Sequence, residues 1–173
     1  MKTKQVFNLI KMISWIIFIG LCIKAGAILI SFLVSLSVNP EASQNLYLGT
    51  NLSALLEFSE RYYIYIVSFK ITIVAFKAYL FYLVIKVLQK LKFNDLFNRD
   101  VASLISKISY YAMVTGAIAI IANSYSKWLL KKGATFELDW GGTEFLFMAG
   151  ILFIIGYIFK RGIEIQEEND LTI

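Results

Sequence analysis

Residues 12–36 read MISWIIFIGLCIKAGAILISFLVSL, an apolar run broken by a single charge, Lys24. About 18 or more such residues are enough to cross the hydrocarbon of a bilayer as a helix. At ~1.5 Å per residue this run reaches ~37 Å, beyond the ~30 Å that must be covered. Three similar stretches follow, over about 63–87, 103–122 and 143–159. The sequence is 58% hydrophobic, above the ~45–50% of soluble domains. Four spans and short loops use nearly all of its 173 residues. The expectation is an all-α integral membrane bundle of four transmembrane helices. It forms one domain over 1–173, ending in a short acidic tail, 160–173.

The first run must be told apart from a signal peptide. Lys2, Lys4 and Lys11 precede it, and Ala25-Gly26-Ala27 mimics a small-residue cleavage site. The apolar pattern resumes through Ile28–Leu36, which a cleaved signal would not need, so the segment is expected to stay as the first span. Cys22 lies inside it and is expected to be a buried thiol acting as a small hydrophobe. As the single cysteine in a chain with no histidine, it can form no internal disulfide, structural zinc site or His-dependent triad. With no phosphate-binding glycine loop or nucleophile–base pair, the expectation is no enzyme, no metal and no cofactor.

Basic residues set the direction of threading. Ten flank one side: Lys2, Lys4, Lys11, Lys86, Lys90, Lys92, Arg99, Lys107, Lys160 and Arg161. Four flank the other: Arg61, Lys127, Lys131 and Lys132. That excess places both termini and the middle loop in the cytoplasm. The Lys/Ile/Asn-rich composition points to a bacterial cytoplasmic membrane. Tyr62, Tyr63, Tyr125, Trp128 and Trp140 then fall at the outer interface as an aromatic belt. The net charge of +5 is spent on flanks instead of one soluble face, so direct nucleic-acid binding is not expected. The bilayer is the first partner.

Span three is rich in small residues. Ala112 and Gly116 stand four apart, the spacing that lets helices approach closely, so this span is expected at the centre of the bundle. Between spans one and two, Leu52–Phe58 looks amphipathic. Asn51-Leu52-Ser53 matches the glycosylation pattern, a weak signal given no weight here.

Lys24, Lys70 and Lys77 are not flanks. A lysine at the centre of a span costs about 2.5–3.5 kcal/mol, against about 0.3–0.6 returned by each Leu, Ile, Val or Phe. Span one has twelve of these over 13–33 and inserts regardless. Span two has thirteen over 63–85 against two lysines, so it should lean on its neighbours. Helical rise puts Lys24 and Lys70 at similar depth, with Lys77 closer to the cytoplasm. Either each lysine extends its charge to water, or Lys24 and Lys70 line a cavity for an anion, lipid headgroup or carboxylate. Glu144, at the outer edge of span four, is the nearest candidate acid. The candidate intramembrane charge site is Lys24, Lys70, Lys77 and Glu144.

The chain closes on four acids within seven residues, Glu164, Glu167, Glu168 and Asp170. They form a solvated tail, dock on the basic middle segment Lys86–Lys107, or meet a basic soluble partner. From Phe159 through Thr172, with Arg161-Gly162, Glu167-Glu168 and Asp170-Leu171-Thr172, this tail resembles that of an uncharacterised bacterial family of four-helix membrane proteins, a domain of unknown function. Length, spans and the segment Phe93–Ile105 fit as well. The family's Asn-Pro-Phe element is replaced here by Leu91-Lys92-Phe93-Asn94. The resemblance implies genes often encoded beside a small helix-turn-helix regulator of the Cro/CI type. The leading expectation is therefore a non-enzymatic membrane-bound regulatory or interaction partner of such a regulator, with the tail competing for its basic surface. The runner-up is a small transporter or immunity-type protein that binds an anion, lipid or peptide through the intramembrane lysines. Four helices make a narrow bundle, so transport would require a homo-oligomer.

Overall fold

The computed structural model describes residues 3–91 and 98–170, with side chains over 5–91 and 98–168. Lys2, Lys92, the other residues of 93–97 and 171–173, and the side chains of Lys4 and Asp170 lie outside them. Among the described residues the chain is all-α. Helix α1 spans Thr3–Ser37, a 3-10 turn Pro40–Asn45, α2 Ser53–Phe58, α3 Glu60–Lys90, α4 Arg99–Lys131 and α5 Gly142–Asp170. Helices α1, α3, α4 and α5 are long and apolar enough to cross a membrane. The chain is a four-helix membrane protein.

The four helices overrun the expected spans. The 35 residues of α1 reach ~52 Å at the standard rise, well past the hydrocarbon. The ends follow local chemistry. Asn98 caps α4 by accepting a hydrogen bond from the Asp100 amide at 2.8 Å, and Asp100 complements the positive end of the helix dipole. Gly133, at φ +96°, terminates the same helix. Its amide donates to the Leu130 carbonyl and that of Ala134 to Leu129, a pairing that needs a left-handed residue. Between the first two spans, Asn51 Oδ1 accepts from both the amide and the hydroxyl of Ser53. In this structure Asn51 organises the entry to α2.

The helices are ordered α1–α3–α4–α5. No Cα of α1 comes within 8 Å of α4 or α5, and none of α3 within 8 Å of α5. Side chains curl this series inward. Leu80 and Leu83 of α3, Ile108 and Ala112 of α4 and Ala149 of α5 form one core at the end bearing the termini. At the loop end, Ile28, Tyr63, Ile66 and Ala122 form a second core, plugged by Leu52 and Trp140 from the two long loops. Three polar ties cross these interfaces. The Tyr63 and Ser35 hydroxyls bond at 2.7 Å. Ser109 donates to the Ala149 carbonyl at 2.9 Å, and Trp140 Nε1 to Ser126 Oγ at 3.0 Å.

Two expectations need correction. Tyr62, Tyr125 and Trp128 do cluster at the loop end, with centroids 5.5–6.5 Å apart. Tyr63 and Trp140 do not join that belt. They are buried, because their polar tips find hydroxyl partners inside the protein and need no interfacial water. Cys22 is exposed instead of buried. Its side of α1 faces away from α3, where a thiol meets lipid at little cost.

Candidate functional site

Lys70 and Lys77 lie seven residues apart on α3, two turns and nearly one face. Both are half-buried, as is Lys24 on α1. The lysines lie within electrostatic range of one another. Lys70 feels the charges of Lys24, Lys77 and Asp139, and Lys77 those of Lys24, Asp139 and Glu144. Aromatic rings sit beside two of them. Lys24 Nζ is 6.0 Å from the Tyr47 ring centroid and Lys77 Nζ is 5.0 Å from that of Phe145. Both distances fall within the reach of cation–π attraction, with Lys24 at its limit. Among the described residues, no carboxylate comes within the 4.0 Å of an ion pair with any of the three.

Five charged groups therefore share one field, three positive and two negative, and one positive charge is left over. An ammonium is a compact, strongly hydrated charge, and at membrane depth it must be compensated by water, an anion or a polar group. This arrangement offers no metal centre: among the described residues no three acidic or thiol groups gather closely enough.

Sequence reasoning placed Lys24 and Lys70 at similar depth, Lys77 closer to the cytoplasm and Glu144 at the outer edge. In the structure Lys24 and Lys77 lie within electrostatic range of Lys70, and Lys24 and Glu144 within range of Lys77. Sequence reasoning missed Asp139. That acid precedes Trp140-Gly141-Gly142, and burial of Trp140 carries the loop inward, while Asp139 itself stays exposed. A tryptophan followed by two glycines was the available signal. Tyr47 and Phe145 were missed as well. Lys107, by contrast, is exposed near the end of α4.

The acidic tail is a continuation of α5, helical to Asp170. Arg99, at the start of α4, grips Glu167 through Nε at 2.9 Å and Nη2 at 2.7 and 2.8 Å. Glu164 accepts from Arg161 on its own helix at 2.6 Å. Glu168 is exposed, and the side chain of Asp170 lies outside the described residues. For Glu167, docking on the basic middle segment is what the structure displays.

Ala112 and Gly116 are both buried. A Cβ added at Gly116 would lie 2.8 Å from Leu146 Cδ2 and 3.1 Å from the Gly142 carbonyl oxygen. Only glycine admits α5 so closely. Helix α4 lies between α3 and α5, as its small residues suggested.

Residues 47–173 match the family described as "Protein of unknown function (DUF2975)". The chain belongs to that family. The DUF2975 region takes in α2, α3, α4 and α5, and with them Lys70, Lys77, Asp139, Glu144 and the tail; Lys24 and α1 precede it. No curated protein and no solved structure matches the chain.

Proposed function

We propose that this DUF2975 member is a non-enzymatic membrane protein that works by binding an anionic ligand at Lys24, Lys70 and Lys77. The observation that supports this reading is the electrostatic proximity of three ammonium groups from α1 and α3 with no carboxylate in ion-pair contact. A chain that needed lysines only for threading would keep them at its flanks, where they cost little. With the termini in the cytoplasm, as the basic flanks indicate, the cluster opens in the outer half of the membrane. Its ligand is an anion with an apolar body, because the lysines stand within apolar spans and beside the Tyr47 and Phe145 rings.

The test uses the detergent-purified protein and dodecyl phosphate as probe. Dodecyl phosphate should raise the melting temperature, and dodecyltrimethylammonium, of the same chain length, should not. Lys24→Met combined with Lys70→Met should abolish that response while the helix content persists. A double variant that folds and still responds in full removes the lysines from the function.

A second reading draws on α5, which carries its acids on an unbroken helix to Asp170. In this reading the cytoplasmic end of α5 recruits a small helix-turn-helix regulator through Glu164, Glu167, Glu168 and Asp170. Because Arg99 holds Glu167, recruitment would require that clasp to open. Changing the four acids to Gln and Asn should then abolish membrane recruitment of the regulator, and recruitment that survives rules the tail out.

A further inference from the structure

At the opposite end of the molecule from the lysine cluster, α4 and α5 enclose a groove. Its mouth is a cavity of about 380 Å³ between Arg99, Ser103, Lys160 and Glu167. A second cavity of about 280 Å³ continues it into the apolar zone between Tyr110, Met113, Phe153 and Tyr157. Ser106 and Lys160 line both cavities, so the two adjoin along the α4–α5 seam. The mouth carries two cations, Arg99 and Lys160, two carboxylates, Glu164 and Glu167, and two serines, while the deeper part is mostly apolar. Met113 and Phe153 face outward, 50% and 64% exposed, so the groove opens sideways toward lipid.

The charges at the mouth are unevenly engaged. Arg99 is held by Glu167, while Lys160 has no carboxylate within ion-pair distance among the described residues. Its neighbour one turn on, Glu164, is taken by Arg161. An unpaired ammonium at the point where a span leaves the hydrocarbon, above a mostly apolar cavity, has the chemistry to receive a phosphodiester carrying an acyl chain.

We propose that the α4–α5 groove binds an anionic phospholipid, with its phosphate on Lys160 and its acyl chain along Tyr110, Met113 and Phe153. Glu167 competes with that phosphate for Arg99. When the lipid takes both cations, the end of α5 loses its clasp, and bound lipid and a docked tail exclude each other. This site is separate from the lysine cluster and does not depend on it.

The test is lipid preference in mixed nanodiscs of phosphatidylglycerol and phosphatidylcholine, read by native mass spectrometry of the released protein–lipid complex. The wild-type chain should retain phosphatidylglycerol selectively. Lys160→Gln should lower that selectivity about fivefold, the value of ~1 kcal/mol for one basic residue at a membrane surface. Glu167→Gln should raise it, because Arg99 becomes free. Lys90→Gln, which removes a cation at the same end but outside the groove, should leave it unchanged. Millimolar inorganic phosphate should not displace the lipid, because it lacks the acyl chain. Equal losses in Lys160→Gln and Lys90→Gln would reduce the effect to general surface charge and overturn the site. So would a Glu167→Gln variant with wild-type selectivity, or displacement by inorganic phosphate.

Discussion

The α4–α5 pair and the α1–α3 pair solve the same problem, holding two helices together in lipid, by opposite means. Between α4 and α5 the backbones close to contact distance over Gly116 and Gly142, and one hydroxyl, Ser109, spans the seam. Between α1 and α3 the residues are larger, with the Phe32 ring tilted against Tyr63 at 5.7 Å, and the two helices carry three half-buried lysines. Lipid tails are as apolar as leucine, so association in a membrane depends on packing and polar ties more than on greasiness. The first pair is specified by fit. The second gives up fit to keep charge inside, and that difference is what the proposed anion site rests on.

The sharpest way to break the contrast is to overfill the tight half. Gly116→Ile places a branched side chain where even a Cβ meets Leu146 at 2.8 Å and a backbone oxygen at 3.1 Å. Leu146 can move, but the carbonyl of Gly142 cannot without shifting α5. The expected cost is about 3 kcal/mol, the upper part of the range for overpacking, read as a lower midpoint of unfolding in mixed micelles. A bulky residue at Gly150, which has open space around it, should cost far less. Equal losses at both positions would mean that the close approach does not specify the fold.

The opposite sign is expected in the charged half. Lys70 and Lys77 sit inside a span without ion-pair partners, so removing one charge should relieve a desolvation cost. Lys70→Met should stabilise the ligand-free protein by about 1–2 kcal/mol, less than the 2.5–3.5 kcal/mol of a fully central lysine because the group is only half-buried. The same substitution should weaken the response to dodecyl phosphate. Stability gained while binding is lost is the signature of a residue kept for function. A destabilised Lys70→Met variant would instead make the lysine structural.

A smaller effect is expected at the tie between α1 and α3. Tyr63→Phe removes the hydroxyl bonded to Ser35. Ser35 keeps its bond to the Phe32 carbonyl at 2.7 Å, so no polar group is stranded. The loss should therefore be about 0.6–1.7 kcal/mol, the scale measured for hydrogen bonds between membrane helices. Denaturation of the variant beside Ser35→Ala checks it, since Ser35→Ala strands the buried Tyr63 hydroxyl and should cost more than Tyr63→Phe.

The sequence made the fold class and the four spans legible because the membrane imposes length and greasiness on each helix separately. The lysines were legible for the same reason, as charges where none should be. Pairing was not. Hydropathy reports which residues face lipid or protein on average, but not which helix lies next to which. The separation of α1 from α5 and the inward turn of the loop at Trp140 are products of tertiary packing. Cys22 shows the limit from another side: an apolar run tells nothing of which face is covered when lipid suits every face. Tyr63 differed from Tyr62 by one helical step of ~100°, enough to turn an expected belt residue into a core tie.

The clasp between Arg99 and Glu167 marks the smallest effect and the finest division between the halves. Its geometry is good, with two nitrogens on one carboxylate, yet both side chains are well exposed, at 77% and 49%. Exposed pairs contribute at most about 1 kcal/mol, so Arg99→Gln should leave the global unfolding midpoint almost unchanged. Its influence is local, because Glu167 is the point at which the end of α5 returns to α4. Beyond Ile163, the last buried residue of the helix, no side chain with described burial packs inside the protein. Amide exchange over 164–170 should therefore speed up in Arg99→Gln, while exchange in the middle of α5, where Ala149 is buried against Ser109, stays slow. Uniform acceleration along α5 would show that the clasp supports the whole helix, and unchanged exchange at 164–170 would show that it holds nothing.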